Sequence, residues 1–310
     1  MQSLATELSL PATAFVRPLD DGSWAVRFFN PKVELPMCGH ASLAVAHTLL
    51  ASGAGAVPPR QRAVRLLTQS GTVILAESDA LPLGTGGPGG AIRLIMPADP
   101  PREVSEAEAA ELRPAILSAL GLTVPPIGQH DPERLLWLGR TRFDTVVRLS
   151  PAAFASVAPD FAAIAALPGP ARILTVTTLG GGGEIGREDD ARSGPRWLRL
   201  TSPVNGHLPT DHDIVSRCFQ PRNGVPEDPV CGAAHCQLAA FWGAQPEFFG
   251  GRRMIRALQA SPRGGSLQLE WDSDAGEAPT TVMALRGACE TTVVGRLAVL
   301  LPPTEGLPVP

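Results

Sequence analysis

The chain has 310 residues, of which 44% are hydrophobic, 18% charged and 5% aromatic, with a formal net charge of -4. That length holds two domains of ordinary size, the weakly acidic and aromatic-poor composition offers nucleic acid neither a basic face nor a stacking platform, and no apolar run approaches the ~20 residues that span a bilayer. The first residues lack the basic start, apolar stretch and small-residue cleavage site of a signal peptide, and five scattered cysteines match no secreted disulfide framework, so a cytoplasmic protein with free thiols is expected.

In chain order, Trp24–Phe29 reads as a strand, and Gly39 to about Leu50 as a helix that is apolar nearly all round, the mark of a buried helix. Strands follow at Val64–Leu67, Val73–Ala76 and Ile92–Met96, the last preceded by a glycine-rich loop at Gly84–Gly90. Ser105 with Glu106 and Glu108 opens an acid-rich helix running toward Leu120, which Pro114 should break or kink. Leu135–Leu138 and Phe143–Leu149 read as strands, Ala152–Leu167 as an Ala-rich surface helix, and Ile173–Thr177 as a strand. The run Gly180–Gly183 lacks the following Lys and Ser or Thr of a phosphate loop and is read as a connection. Further strands are predicted at Leu198–Thr201 and Ile214–Phe219, a second all-round apolar helix from Gly232 to about Trp242, and strands at Met254–Leu258, Leu267–Trp271, Val282–Leu285 and Val293–Leu300.

The two buried helices start alike. Glu34-Leu-Pro-Met-Cys38-Gly39-His40-Ala41 and Glu227-Asp228-Pro-Val-Cys231-Gly232-Ala233-Ala234 share the pattern E-x-P-x-C-G-x-A, 193 residues apart, which implies an internal duplication. In each copy an acidic loop ends in Pro, a Cys follows, and a Gly lets the chain turn into a helix whose first N–H groups are unsatisfied and favour an anion.

On these residues, RFFNPKVELPMCGHASLAVAHTLL and IVSRCFQPRNGVPEDPVCGAAHCQLAAFW resemble the two signature segments of phenazine-biosynthesis (PhzF-like) proteins. ATELSLPATAFVRP and GACETTVVGRLAVLL are similar, more loosely, to other parts of the family. The resemblance implies an α+β fold of the diaminopimelate epimerase type. It consists of two pseudo-symmetric domains, each a curved, mainly antiparallel sheet wrapped around a central helix, here 1–128 and 129–310, with the active site between them. It also implies a cofactor-independent isomerase, no metal, a protein that often forms homodimers, and a first strand of the family lying before the point where this sequence begins, so that either the gene model is short or one half lacks an edge strand and leaves its neighbour unpaired. The family's catalytic glutamate falls on Glu34 and its motif aspartate on Asp228. Ala233 stands where the phenazine enzyme has a serine, and its site histidine has no clear counterpart near Thr68-Gln69-Ser70-Gly71.

Moving a hydrogen on carbon needs a positioned base and a place for the developing anion. Glu34, leading into a buried helix, is expected to have its pKa raised by desolvation and to serve as the acid/base on a small carboxylate-bearing substrate. Gly39, His40, Gly232 and Ala233 form the anion-holding helix starts. Asp228 either orients a substrate group or caps its helix, and His40 orients neighbours or is structural. Cys38 and Cys231, equivalent in the repeat, suggest a second reading, a two-thiol racemase or epimerase with each thiol at a helix N-terminus, against which stands the behaviour of free Cys as a small buried apolar residue. A third reading is a non-catalytic binding protein. The spacing of Cys38, His40, Cys231, His235 and Cys236 does not fit a zinc site.

Overall fold

The computed structural model describes residues 1–51, 63–78, 92–97, 99–124, 134–169, 172–180, 212–245, 254–271 and 282–287. The expectations at Gly84–Gly90, Gly181–Gly183, Leu198–Thr201 and Val293–Leu300 lie outside them.

A short helix α1 (Gln2–Leu8) precedes strands β1 (Thr13–Pro18), β2 (Trp24–Phe29) and β3 (Glu34–Leu35), helix α2 (Gly39–Ala51), and strands β4 (Ala63–Thr68), β5 (Val73–Ser78) and β6 (Ile92–Pro97). Then come β7 (Arg102–Glu103), α3 (Glu106–Ala119), β8 (Leu135–Arg140), β9 (Thr145–Leu149), α4 (Pro151–Ala155) and α5 (Phe161–Ala165). The last part holds β10 (Leu174–Leu179), β11 (Ile214–Gln220), β12 (Val225–Glu227), α6 (Gly232–Gly243), β13 (Met254–Gln259), β14 (Gly265–Trp271) and β15 (Val282–Gly287).

The duplication read in the loop extends through the topology. In β1 to β6, β1 pairs β2 antiparallel, β2 pairs β3 antiparallel and β4 parallel, and β4, β5 and β6 continue antiparallel. In β10 to β15 every relation recurs: β10 with β11, β11 with β12 antiparallel and β13 parallel, then β13, β14 and β15 antiparallel. Helix α2 crosses from β3 to β4 and packs on β4 to β6, while α6 crosses from β12 to β13 and packs on β14 and β15. The two units join where β6 pairs β15 antiparallel over the full length of both. This is the α+β architecture expected of the diaminopimelate epimerase type. The halves differ at their outer edges: β10 is flanked by β9, β8 and β7, whereas β1 ends the ladder with β2 as its one neighbour among the described residues.

Burial explains the strand patterns. Strand β4 alternates buried and open positions because α2 covers one face. Strands β9 to β11 are buried almost throughout, since α6 and a second core beneath α3, α4 and α5 cover both faces. Helices α2 and α6 share one core: Val45, Ala46 and Leu49 pack in the same cluster as Leu238, Phe241 and Trp242. Pro114 does not break α3, whose Leu112, Ile116 and Leu117 are all buried and hold the turns on either side. The single surface helix predicted over Ala152–Leu167 is two helices instead. Pro159 cannot continue the first, and Asp160 starts the second by accepting from the N–H groups of Ala162 and Ala163 at 2.9 and 3.0 Å.

The reason for glycine at the two helix starts also differs from the turn expected. Neither Gly39 nor Gly232 has positive φ. A Cβ placed on Gly39 would lie 2.6 Å from the Gly232 Cα and 3.1 Å from its nitrogen, so the glycines serve to let two backbones touch. Gly39→Ala should therefore destabilise the fold by about 1 to 3 kcal/mol through overpacking, read by urea unfolding, and wild-type stability in that variant would contradict the contact.

Candidate active site

The Gly39 and Gly232 contact brings the N-termini of α2 and α6 together, one from each half. Cys231 is the N-cap of α6 and no side chain caps that helix. Its own N–H donates to the Gln259 Oε1 at 2.6 Å, and the Gln259 amide donates back to the Asp228 carbonyl. Cys38 precedes α2 in the same way. Its carbonyl accepts from the Ser42 hydroxyl at 2.8 Å and the Ser42 N–H at 3.0 Å.

Around this junction the structure gathers most of the residues expected there. Cys38 and Cys231 are both buried, each one residue from the point where the backbones meet. His40 reaches across from the first half, its Nδ1 donating to the Val230 carbonyl at 3.1 Å, with the Cys38 Sγ 3.7 Å from the ring nitrogens. Asp228 is buried in the second half. One of its oxygens accepts from the Val230 N–H at 2.9 Å and the other from the Gln220 amide. Burial pushes the Asp228 carboxyl above the ordinary range, opposed by the nearby His40, by these donors and by the Cys231 thiol. The Val230 contact is a turn within the loop rather than a cap, because Cys231 holds the N-cap position. Ala233 is half-buried and packs with Ile173, Cys218, Cys231 and Ala234.

The Cys38 thiol is not poised as a base by its helix end. Burial outweighs the Ala41 N–H beside the Cys38 sulfur and pushes that thiol up to about 12. Cys218 lies against Cys231, is likewise buried, and is pushed well above a thiol's usual range.

Glu34 stands apart from this buried group. It lies on β3, opposite Phe29 in register, and its two carboxyl oxygens accept from the Arg27 Nε at 2.8 Å and Nη2 at 2.7 Å. The expected rise of its pKa by desolvation is reversed. The Arg27 hydrogen bonds hold the carboxyl below its usual range, and burial opposes them only in part because the side chain is a quarter exposed. The Gln69 amide, oriented to donate, reaches the same carboxyl, which gives the Thr68–Gly71 turn a place beside it.

Sequence reasoning missed Arg27, Gln69, Cys218, Gln220 and Gln259. A usable signal for the first existed, since Arg27-Phe28-Phe29 and Arg217-Cys218-Phe219 precede the two loops. Asn30 also links the halves, its amide donating to the Asn223 carbonyl at 2.9 Å. Among the described residues, no three His, Cys, Asp or Glu side chains gather in a metal-binding group. No helix there is long and apolar enough to cross a membrane.

The family model described as phenazine biosynthesis-like protein matches residues 1–179 and 200–294. The chain is 32% identical over 269 residues to an uncharacterized isomerase of Pseudomonas aeruginosa, covering 86% of this chain and 77% of that protein. It is 28% identical over 275 residues to an uncharacterized isomerase of Halalkalibacterium halodurans, covering 88% and 80%. Among solved structures, a phenazine biosynthesis protein of the PhzF family from Enterococcus faecalis superposes with a TM-score of 0.64 at 25% identity, covering 93% of this chain and 82% of that one. A probable proline racemase from Agrobacterium radiobacter, with bound carbonate, shares the fold at a TM-score of 0.53 and 13% identity, covering 96% and 81%.

His235 gives this region a pH signature. It is fully buried on α6, donates from Nδ1 to the Cys231 carbonyl at 2.7 Å and faces the Ser216 hydroxyl from Nε2 at 3.3 Å. Burial pulls its pKa down to about 4 from 6.5. Between those values the unfolded chain binds the proton and the folded one does not, so stability falls as pH falls through that window, by roughly 3 kcal/mol in total. The measurement is the unfolding free energy of wild type minus that of His235→Gln across pH 7 to 4. The difference should shrink toward the acid side, and a constant difference would show that His235 is not held neutral.

Proposed function

This chain belongs to the phenazine biosynthesis-like family, and on that premise we propose that it is an isomerase that shifts a proton on a small carboxylate-bearing metabolite, using Glu34 as the acid/base and no cofactor. The observation that carries this reading is the contact of Gly39 with Gly232. Two helix N-termini converge at that contact, and in this reading the backbone N–H groups at Gly39 and His40 and at Gly232 and Ala233 serve one anion. A substrate carboxylate or the enolate formed from it is the natural occupant, favoured by each dipole by about 0.3–1 kcal/mol and more when buried.

In this reading Glu34 takes a proton from the substrate carbon and returns it at another position. Asp228, its carboxyl raised by burial and facing His40, hydrogen-bonds a substrate amino or hydroxyl group and fixes its orientation. Ala233 adds no hydroxyl, which argues for a substrate other than that of the phenazine enzyme.

A second reading, racemisation by Cys38 and Cys231, is favoured by the equivalent placement of the two thiols and by the contact of Cys231 with the Asp228 carboxyl. Against it stands the Cys38 thiol, which at about 12 is almost wholly protonated near neutrality.

Incorporation of solvent deuterium into a panel of amino and hydroxy acids separates these readings. With Glu34 as the shuttle, Glu34→Gln should lower exchange by ~10²–10⁴-fold, while Cys231→Thr exchanges freely. A dead Cys231→Thr beside a wild-type rate in Glu34→Gln would transfer the chemistry to the thiols. No exchange from any acid in the wild type would favour a binding protein.

A further inference from the structure

The repeat extends upstream of the shared loop into a pair of arginine forks. β2 and β11 each carry Arg-x-Phe, and in each half the Phe is the register partner of the loop glutamate, Phe29 with Glu34 and Phe219 with Glu227. Each guanidinium lies over its own ring, at 5.2 Å for Arg27 on Phe29 and 4.9 Å for Arg217 on Phe219. Each also grips its carboxylate at two points: 2.8 and 2.7 Å between Arg27 and Glu34, 2.8 and 2.8 Å between Arg217 and Glu227.

Their surroundings differ. The Arg217 and Glu227 side chains are 18% and 7% exposed, and Arg217 donates further to the Val157 carbonyl at 3.1 Å. That fork is sealed under the second half's additional helices. The Arg27 and Glu34 side chains are 41% and 26% exposed. One fork is part of the interior, and its twin is open to a solute.

We propose that Arg27 is the positioning residue of the site: its two-point grip fixes the plane of the Glu34 carboxyl and presents it as an ionised base, so that the reaction opens by taking a proton from carbon. This rests on the role proposed above for Glu34. The groups facing that carboxyl are the Arg27 guanidinium from β2 and the Gln69 amide from the turn between β4 and β5. A planar fork sets orientation as well as charge, which a lysine would not do. When one Glu34 oxygen takes the proton, it accepts from Arg27 only weakly. The fork then favours giving that proton back to the substrate, as a shuttle requires.

The test uses the full chain carrying 13C at the glutamate carboxyls, with the Glu34 resonance assigned by its loss in Glu34→Gln. The Glu34 resonance should titrate below those of fully exposed glutamates, move up to join them in Arg27→Gln, and stay where it is in Arg217→Gln. The pH profile of deuterium exchange into whichever panel acid reacts should shift its acid limb upward in Arg27→Gln. Arg27→Lys should keep that limb and exchange more slowly. A Glu34 titration identical in wild type and Arg27→Gln overturns the inference, and so does slower exchange in Arg27→Gln with an unmoved acid limb. Failure of the Glu34 reading itself shows separately, as wild-type exchange in Glu34→Gln.

Discussion

The approach of Gly39 to Gly232 is the constraint on which the rest of the site depends. Two helix N-termini carry like partial charges, and pressing them together is unfavourable unless something holds the halves in place. The pairing of β6 with β15 makes one continuous ladder of the two units. The core shared by α2 and α6 leaves neither helix free to retreat. Polar ties at the junction, from Asn30 to Asn223, His40 to Val230 and Gln259 to both Asp228 and Cys231, lock the loops that lead into the helices. The unspent positive field is what an anion would neutralise.

Pseudo-symmetry supplies this scaffold, and departures from it supply the chemistry. Gly39 and Gly232, Cys38 and Cys231, and the two arginine forks are like pairs. The site becomes directional where the copies differ: His40 against Ala233, and Leu35 against Asp228. His40 and Asp228 come from opposite halves and meet at the junction, so the acidic group of one half is tuned by the other. The two glutamates, equivalent in the repeat, part company through burial, because among the described residues the layer of α3, α4 and α5 packs on the strands of the second half.

Much of this was legible in the residues. All-round apolarity marked α2 and α6 as buried helices, alternation marked β4, and the repeated E-x-P-x-C-G-x-A located the junction before any coordinates. The helix over Ala152–Leu167 was misread because Ala-rich composition outweighed Pro159, whose missing N–H decides the matter locally. The titration of Glu34 was misjudged in sign because its partner lies on the strand before it, seven residues away, and only strand pairing brings Arg27 back against the acid. The glycines were assigned to a turn because the contact they permit lies 193 residues away, beyond any local pattern. Membership in the phenazine biosynthesis-like family followed from the signature segments themselves.

The central claim is that the two helix N-termini act as one anion site. The most direct measurement follows the backbone amides of 15N-labelled protein during titration with sodium acetate at constant ionic strength. The account predicts that the N–H signals of Gly39, His40, Gly232 and Ala233 move together and saturate with a single dissociation constant. Movement confined to one helix, or two helices saturating at different concentrations, would contradict it.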